Sequence, residues 1–294
     1  MSITPQLMGI LNLTSDSFFD GGKYIDLPSA LNQANLLISE GADILDIGAE
    51  SSKPGSHPIP EHVEKERIVS FLSMLHNSYT GTSHEEGVNF KIPISVDTSR
   101  SSVAKAALEM GVSAINDIYA LRRDLELVSI ISEFKCRIVL MHMQGTPDCM
   151  QKSPHYENVV DETLAFLEER VSFAMAHGIQ KENIILDPGI GFGKTLEHNC
   201  TLLKNIARFR NLGFPVLVGT SRKSFLGAIT GKNVKERLLS TAATVAYLAL
   251  QGVDILRVHD VLAMKEVLQV IQAINNKSPL EKLGKHPPYS PLTN

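Results

Sequence analysis

Residues 184–194, IILDPGIGFGK, run a short apolar stretch into a carboxylate, Asp187, then into Pro188 and glycines at 189, 191 and 193. A buried strand that delivers a charge to a glycine loop suits a ligand site, because glycine lets a ligand approach the backbone. The same glycines suit a tight strand-to-helix turn, and this stretch alone does not separate the two readings. It is not a P-loop: Lys194 and Thr195 fit the end of that pattern, but its first glycine falls on Pro188. The glycine spacing also excludes a dinucleotide fingerprint. Asp97 and Asn116 sit, like Asp187, where apolar runs end. An amide and two carboxylates around a small cavity would read the edge of a flat, donor-rich heterocycle. A guanidine-like ring edge offers two donors to one carboxylate, as arginine does. Capping or strand-closing roles suit Asp117 and Asp260 better than Asp187.

Lys53, Arg100, Lys194, Arg222, Lys223, Arg257 and His259 lie at or just after the ends of apolar runs. Any one of them could as well be a solvated loop charge. Together they suggest a pocket for an anion, phosphate foremost, which arginine grips in bidentate fashion. Arg257 and His259 alternate along one strand and so face the same way. Asn12 could give magnesium the single protein oxygen it takes when substrate phosphates supply the rest. It could equally hold a turn before Thr14 and Ser15. No His/Cys/carboxylate set has catalytic-zinc spacing. His142, at the end of an apolar strand, reads as a satisfied core histidine. No serine occupies a nucleophile elbow, so covalent catalysis is not indicated.

The elements that must position these residues alternate along the whole chain. Apolar runs at 7–13, 43–48, 92–97, 113–117, 137–143, 184–187, 215–219 and 255–258 read as strands. Between and after them, helices are expected from about 26 to 41, from Pro60, from Ser99 to Gly111, and over 125–134, 157–176, 196–210 and 235–250, with a last one after Asp260. Asp26 caps the first, with Pro28 in its first turn and Gly41 at its end. The polar segment 78–91 reads as a surface loop. Strands apolar on both faces are those of a parallel, covered sheet. Eight such units in 294 residues fit an α/β fold, a single (β/α)8 TIM barrel over 1–276 with a loosely held tail at 277–294. A doubly wound open sheet is the alternative, but eight even units favour closure. In a barrel the C-terminal strand ends meet on one face, which would gather Asn12, Asp97, Asn116, Asp187, Lys223, Arg257 and His259.

Composition narrows the function classes. Hydrophobic residues make up 43% and charged residues 20%, which marks a soluble globular chain. No run reaches the roughly 18 apolar residues of a membrane span, and the N-terminus lacks a secretory pattern. A net charge of −4 argues against non-specific nucleic-acid binding. Cys136, Cys149 and Cys200 are widely spaced and match no zinc or redox motif, as in a reduced cytoplasmic protein.

The stretches MGILNLTSDSFFDGG, DIGAESSKPGS, SVDTSR, INDI, LMHMQGTP, DPGIGFGK, GTSRKSFLG and RVHD occur in the order and spacing of the dihydropteroate synthase family. The chain resembles that family from Met8 to about Asp260. The resemblance implies a (β/α)8 barrel, usually a homodimer. It also implies a transferase that joins 6-hydroxymethyl-7,8-dihydropterin diphosphate to p-aminobenzoate, releasing diphosphate, in folate biosynthesis, and that sulfonamides inhibit. By motif position, Asp97, Asn116, Asp187 and Lys223 resemble the pterin-binding residues. Asn12, Arg257 and His259 resemble those for Mg²⁺ and diphosphate, with Asn12 on the metal. Phe18, Ser52, Pro54, Ser221 and Lys223 match the p-aminobenzoate region. Asp97, Lys223, Arg257 and His259 carry the implied catalysis. Its implied course is dissociative: diphosphate departs, a pterin methylene cation forms near Asp97, and the aniline nitrogen attacks.

The chain departs from the family at several points. It has Ser52-Lys53 where Thr-Arg is common, Ser15 where proline is, and Ile190 in place of a frequent phenylalanine. Lysine lacks the guanidinium fork, so contacts at 53 should be weaker. A pterin-binding methyltransferase barrel and a catalytically silent pterin-binding paralogue are the rival readings. Ser221-Arg222-Lys223 and Lys53-Pro54-Gly55 favour the synthase over the first, and the presence of the metal and diphosphate residues favours it over the second.

Overall fold

Strand order and hydrogen bonding decide between an open sheet and a barrel. The computed structural model describes residues 4–14, 26–53, 55–80 and 90–275. In it β1 (Gln6–Asn12), β2 (Ile44–Gly48), β3 (Ile94–Asp97), β4 (Ala114–Asp117), β5 (Arg137–Met141), β6 (Ile184–Asp187), β7 (Leu217–Val218) and β8 (Ile255–Val258) form one sheet. Its order is β6-β5-β4-β3-β2-β1-β8-β7, with neighbours parallel. The two ends of that order meet. Leu186 bridges Val216, and the Leu186 N–H donates to the Pro215 carbonyl at 2.9 Å. The sheet is therefore a closed barrel, and the expected tail at 277–294 lies outside the described residues.

Pleating sorts each strand's residues between two cores. Leu7, Leu11, Leu45, Ile47, Val96, Ile115, Ile138 and Leu140 point outward and pack under the helices. Met8, Ile44, Val139, Ile185, Leu217 and Ile255 point inward and fill the barrel's lower half. Two residues further along each of these strands, the inward position is taken by Ile10, Asp46, Met141, Asp187, Gly219 and Arg257. On β2, β6 and β8 the barrel thus turns from hydrocarbon to charge in a single step of the pleat.

The helices are α1 (Leu27–Glu40), α2 (Glu61–Thr80), α3 (Ser101–Glu109), α4 (Glu126–Phe134), α5 (Val159–Ala176), α6 (Leu196–Lys204), α7 (Ile206–Arg210), α8 (Ser224–Thr230), α9 (Leu238–Leu250) and α10 (Val261–Asn275). Asp26 caps α1 as expected, accepting from the Ser29 N–H at 3.3 Å. Several expectations need correction. The helix expected from Ser99 begins at Ser101, whose N–H donates at 2.7 Å to Asp124, from the loop after β4, rather than to a capping Ser99. The helix expected over 196–210 breaks at Asn205, whose side-chain amide donates to the Thr201 carbonyl at 2.8 Å and competes with the backbone ladder. The last expected helix before β8 begins at Leu238 rather than Lys235, after a short 3-10 turn over Val234–Glu236. The short α8, which periodicity did not reveal, follows β7 directly after Lys223. The segment 78–91 is helical to Thr80, and 81–89 lies outside the described residues.

Candidate active site

At the C-terminal mouth of the barrel, Ile10, Ser52, Asp97, Asn116, Met141, Asp187, Phe192, Ser221, Lys223, Arg257 and His259 surround a hollow of about 430 Å³. It exists partly because two inward positions carry no side chain. A Cβ on Gly219 would stand 3.6 Å from the Cβ of Arg257, and one on Gly48 would stand 3.4 Å from that of Asp97. Asn12, two residues past Ile10 on the same face of β1, is half-buried at the rim.

Four groups form a continuous polar wall. Asp46, fully buried beneath the hollow, accepts from Arg257 Nε at 2.6 Å and from the Asn116 amide at 3.2 Å. The far end of the guanidinium donates to Asp97 at 3.2 Å. Burial works against the charge of Arg257, but Asp46 and Asp97 more than offset it and hold its pKa above the ordinary value. Asp97 is pushed up to about 8 by burial, against the pull of Arg257, with Asp46 adding repulsion.

Across the hollow, Asp187 accepts from the Gly189 N–H at 2.7 Å, leaving its second oxygen for a ligand. Burial raises its pKa, against the attraction of Lys223. Lys223 donates to the Ile190 carbonyl and lies 4.3 Å over the ring of Phe192. Burial lowers its pKa to about 8, although Asp187 opposes this. The glycine loop makes these contacts possible. Gly189 has φ +67°, and a Cβ there would collide with the His142 carbonyl. On the opposite flank Arg222 occupies the left-handed region at φ +58°, a strained conformation that aims the next residue, Lys223, into the mouth. The Thr241 hydroxyl steadies that turn, accepting from the Arg222 N–H at 3.1 Å.

His259 lies at the rim, its Nδ1 3.0 Å from Ser221 Oγ, which also accepts the His259 backbone N–H at 3.2 Å. Burial first, then Arg257 and Arg222, lower its pKa to about 4. The imidazole is therefore neutral near pH 7, a correction to its expected place among the cations.

The chain matches the family model described as pterin binding enzyme over residues 8–259. It is 42% identical over 272 residues to the dihydropteroate synthase of Haemophilus influenzae, covering 92% of this chain and 94% of that one. The chain belongs to the dihydropteroate synthase family. Solved members share its fold. The Yersinia pestis dihydropteroate synthase in complex with a sulfonamide drug superposes with a TM-score of 0.83 at 36% identity, over 92% of this chain and 94% of that one. The Xanthomonas albilineans dihydropteroate synthase in complex with 7,8-dihydropteroate does so with a TM-score of 0.79 at 36% identity, over 93% and 95%.

Of the residues that the family motifs single out, Ser52, Asp97, Asn116, Asp187, Ser221, Lys223, Arg257 and His259 line one hollow, and Asn12 stands at its rim. Phe18 and Pro54 lie outside the described residues. Three of the expected cations do not face the hollow as free charges. Arg100 is buried between Glu50 and Glu64, at 2.9 Å from each. Arg222 pairs with Asp260, its Nε donating at 3.0 Å. Lys194 is buried, with its Nζ 2.8 Å from Nδ1 of His142 and donating to the Phe192 carbonyl at 3.0 Å. That pair also explains His142: burial, then Lys194 and Arg122, drive its pKa to about 2, so it is a satisfied neutral core group. Asp117 holds a turn, accepting from the N–H groups of Tyr119 at 2.9 Å and Leu121 at 2.6 Å.

Sequence reasoning missed Asp46. The signal was present: a charged residue inside the otherwise apolar strand ILDIG, at even spacing from the inward Ile44. A carboxylate placed there must be paired within the barrel.

Proposed function

We propose that this chain is a dihydropteroate synthase, which condenses 6-hydroxymethyl-7,8-dihydropterin diphosphate with p-aminobenzoate to 7,8-dihydropteroate and diphosphate. One observation carries the reading: carboxylates, an amide and an ammonium converge on one hollow whose wall holds the guanidinium of Arg257. The free oxygen of Asp187, with Asn116, Asp97 and Lys223, suits the donor-and-acceptor edge of a pterin. Arg257 and His259 face the diphosphate. Ser52, Ser221 and Lys223 face p-aminobenzoate, and sulfonamides occupy the same place.

The carbon–oxygen bond between the pterin methylene and diphosphate breaks, and its electron pair leaves with diphosphate. Arg257, fixed by Asp46, stabilises that developing charge without reorganising. Asp97 is a carboxyl whose ionised form is disfavoured by burial, so a cation forming beside it relieves that cost and is itself stabilised. The aniline nitrogen forms the new bond to carbon and then sheds a proton. No protein nucleophile takes part.

Mg²⁺ fits the donor set in one way. Among the described residues no three His, Cys, Asp or Glu side chains gather to hold a metal. A half-buried amide at the rim, Asn12, offers one hard oxygen, so the ion would be shared between Asn12 and the substrate's phosphates. When bound it would offset diphosphate charge.

The proposed assembly is a homodimer. Helix α9 exposes Leu239, Ala243, Tyr247 and Leu250 along one side, with Leu239 82% exposed, a stripe that a second copy would cover. The chain acts in the cytoplasm on this reading, and it binds neither membrane nor nucleic acid. Its cysteines are free, and none of its described helices is long and apolar enough to cross a membrane.

The test is incubation with both substrates and Mg²⁺, with the product identified by mass. Dihydropteroate is expected. Tight p-aminobenzoate binding should require pterin and diphosphate to be present. Binding without turnover, or methyl loss from a methylated pterin supplied in a parallel incubation, would replace this reading with one of its rivals.

A further inference from the structure

A second, smaller hollow of about 250 Å³ adjoins the main one, with which it shares Ser52, Asp97 and Ile118; Glu50 and Glu64 stand on its far side. Glu50 opens the loop over residues 50–59 that carries Ser52 and Lys53. Its carboxylate accepts from the Ile59 N–H at 3.1 Å, from Arg100 Nη2 at 2.9 Å and from Arg123 Nη1 at 2.9 Å. The same Arg100 nitrogen donates to the Ile59 carbonyl at 2.7 Å. Both backbone groups of Ile59 are thereby held by a carboxylate at the loop's start and its arginine. Arg100 is anchored in turn, its Nη1 2.9 Å from Glu64, which accepts from the Thr98 hydroxyl at 2.6 Å next to Asp97. The tip is docked too, as the Gly55 N–H donates to the Pro147 carbonyl at 2.9 Å.

We infer that Glu50 is a positioning residue for the second substrate. Its pairing with Arg100 closes the roots of the 50–59 loop and so presets Ser52 over the p-aminobenzoate position. This rests on the reading of the site given above. A loop closed at its base loses less entropy when its tip orders against a ligand, and that saving appears in the affinity of the ligand the tip contacts. The pterin groups stand on barrel strands and need no such closure. The ion pair touches no substrate. It acts through the loop, and its effect should fall on one substrate alone.

The test is Glu50→Gln, which keeps the side chain's size and removes its charge. The KM for p-aminobenzoate should rise about tenfold or more, while kcat and the KM for the pterin diphosphate stay within about threefold. Amide exchange at residues 51–53, 55 and 56 should speed up by about tenfold in the free protein. Arg100→Lys, which keeps the charge but not the fork, should fall between wild type and Glu50→Gln. An unchanged KM for p-aminobenzoate in a folded variant, or equal rises for both substrates, overturns the inference. Should Glu50→Gln fail to fold, Arg123→Gln removes one of its three partners at a more exposed position. That variant should raise the same KM by about threefold, and no change would overturn the inference equally. If wild-type protein makes no dihydropteroate, the reading of the site fails instead, while the exchange rates still decide whether the roots are pinned.

Discussion

Asp187→Asn isolates the chemistry of ring recognition, because it changes one oxygen to an amide nitrogen and nothing else in shape. One carboxylate oxygen is committed to the Gly189 N–H at 2.7 Å, in a loop whose φ of +67° at Gly189 leaves it little freedom to move. Asparagine has a single acceptor. If it keeps the Gly189 bond, its NH₂ faces the hollow and opposes the donors of the ring. If it turns over, the NH₂ faces the Gly189 N–H and two donors meet inside the loop. Either way a hydrogen bond to a charged group, worth about 1.5–3 kcal/mol, is lost, and a buried donor goes unpaired at about 1–3 kcal/mol. The two penalties overlap, so the expected loss of pterin affinity is about 2–4 kcal/mol, or about 30- to 1,000-fold. Isothermal calorimetry with the pterin diphosphate gives the affinity, and thermal melting shows whether the penalty fell on the loop. A variant that binds pterin within about threefold of wild type, with an unchanged melting temperature, would refute the assignment of Asp187.

Arg257→Ala should lower turnover by at least about 100-fold, since it removes the preorganised donor and leaves Asp46 and Asp97 without their guanidinium partner. Lys53→Ala should cost less than about tenfold, because that lysine is exposed on a loop, and equal losses would show that the loop closes into the diphosphate site. Steady-state rates at saturating p-aminobenzoate decide this ranking. His259 has its pKa lowered to about 4 in the free protein, and an anion beside it must raise it. Binding of pterin plus diphosphate at pH 5–6 should therefore take up protons, seen by calorimetry in buffers of different ionisation enthalpy and absent in His259→Gln. Asp97 has its folded pKa raised to about 8, so its contribution to stability is present below its unfolded value near 3.8 and is lost as pH rises through about 8. Asp97→Asn should lose turnover yet melt progressively higher than wild type as pH rises from about 5 to 8.5, and a melting-temperature difference independent of pH would contradict the burial effect.

Most of the architecture was legible because the inward and outward residues of each strand obey a period of two, and α1 carries its own punctuation in Asp26, Pro28 and Gly41. The failures share a cause. The cap of α3 comes from Asp124, a residue 23 positions away, and only tertiary structure shows such a partner. The break at Asn205 depends on a side chain choosing a carbonyl four residues back, which periodicity does not encode. At the site, side chains inward on strands were found from strand ends alone. Cations on loops were misjudged, because the sequence shows that Arg100 and Lys194 follow strands but not that Glu50, Glu64 and His142 wait for them. Asp46 was passed over for the complementary reason: it lies inside a strand rather than at its tip.

The polar layer at the mouth is built against the stability of the barrel that carries it. Hydrocarbon continues up six of the strands to the inward layer of Met8, Ile44, Val139, Ile185, Leu217 and Ile255. Further side chains of that kind would be the stable choice above it, because buried ion pairs rarely outdo well-packed apolar groups. The chain instead places Asp46, Asp97, Asp187, Lys223 and Arg257 there. The strain appears where physics requires it, in a carboxyl raised to about 8 and an ammonium lowered to about 8. Each shift means that the free site disfavours a charge that a ligand would favour. On the proposed reading, a pterin edge that donates to Asp187 and a cation beside Asp97 would each restore what burial took away. On that reading, part of the binding energy at this mouth would be the release of a cost already built into the free protein.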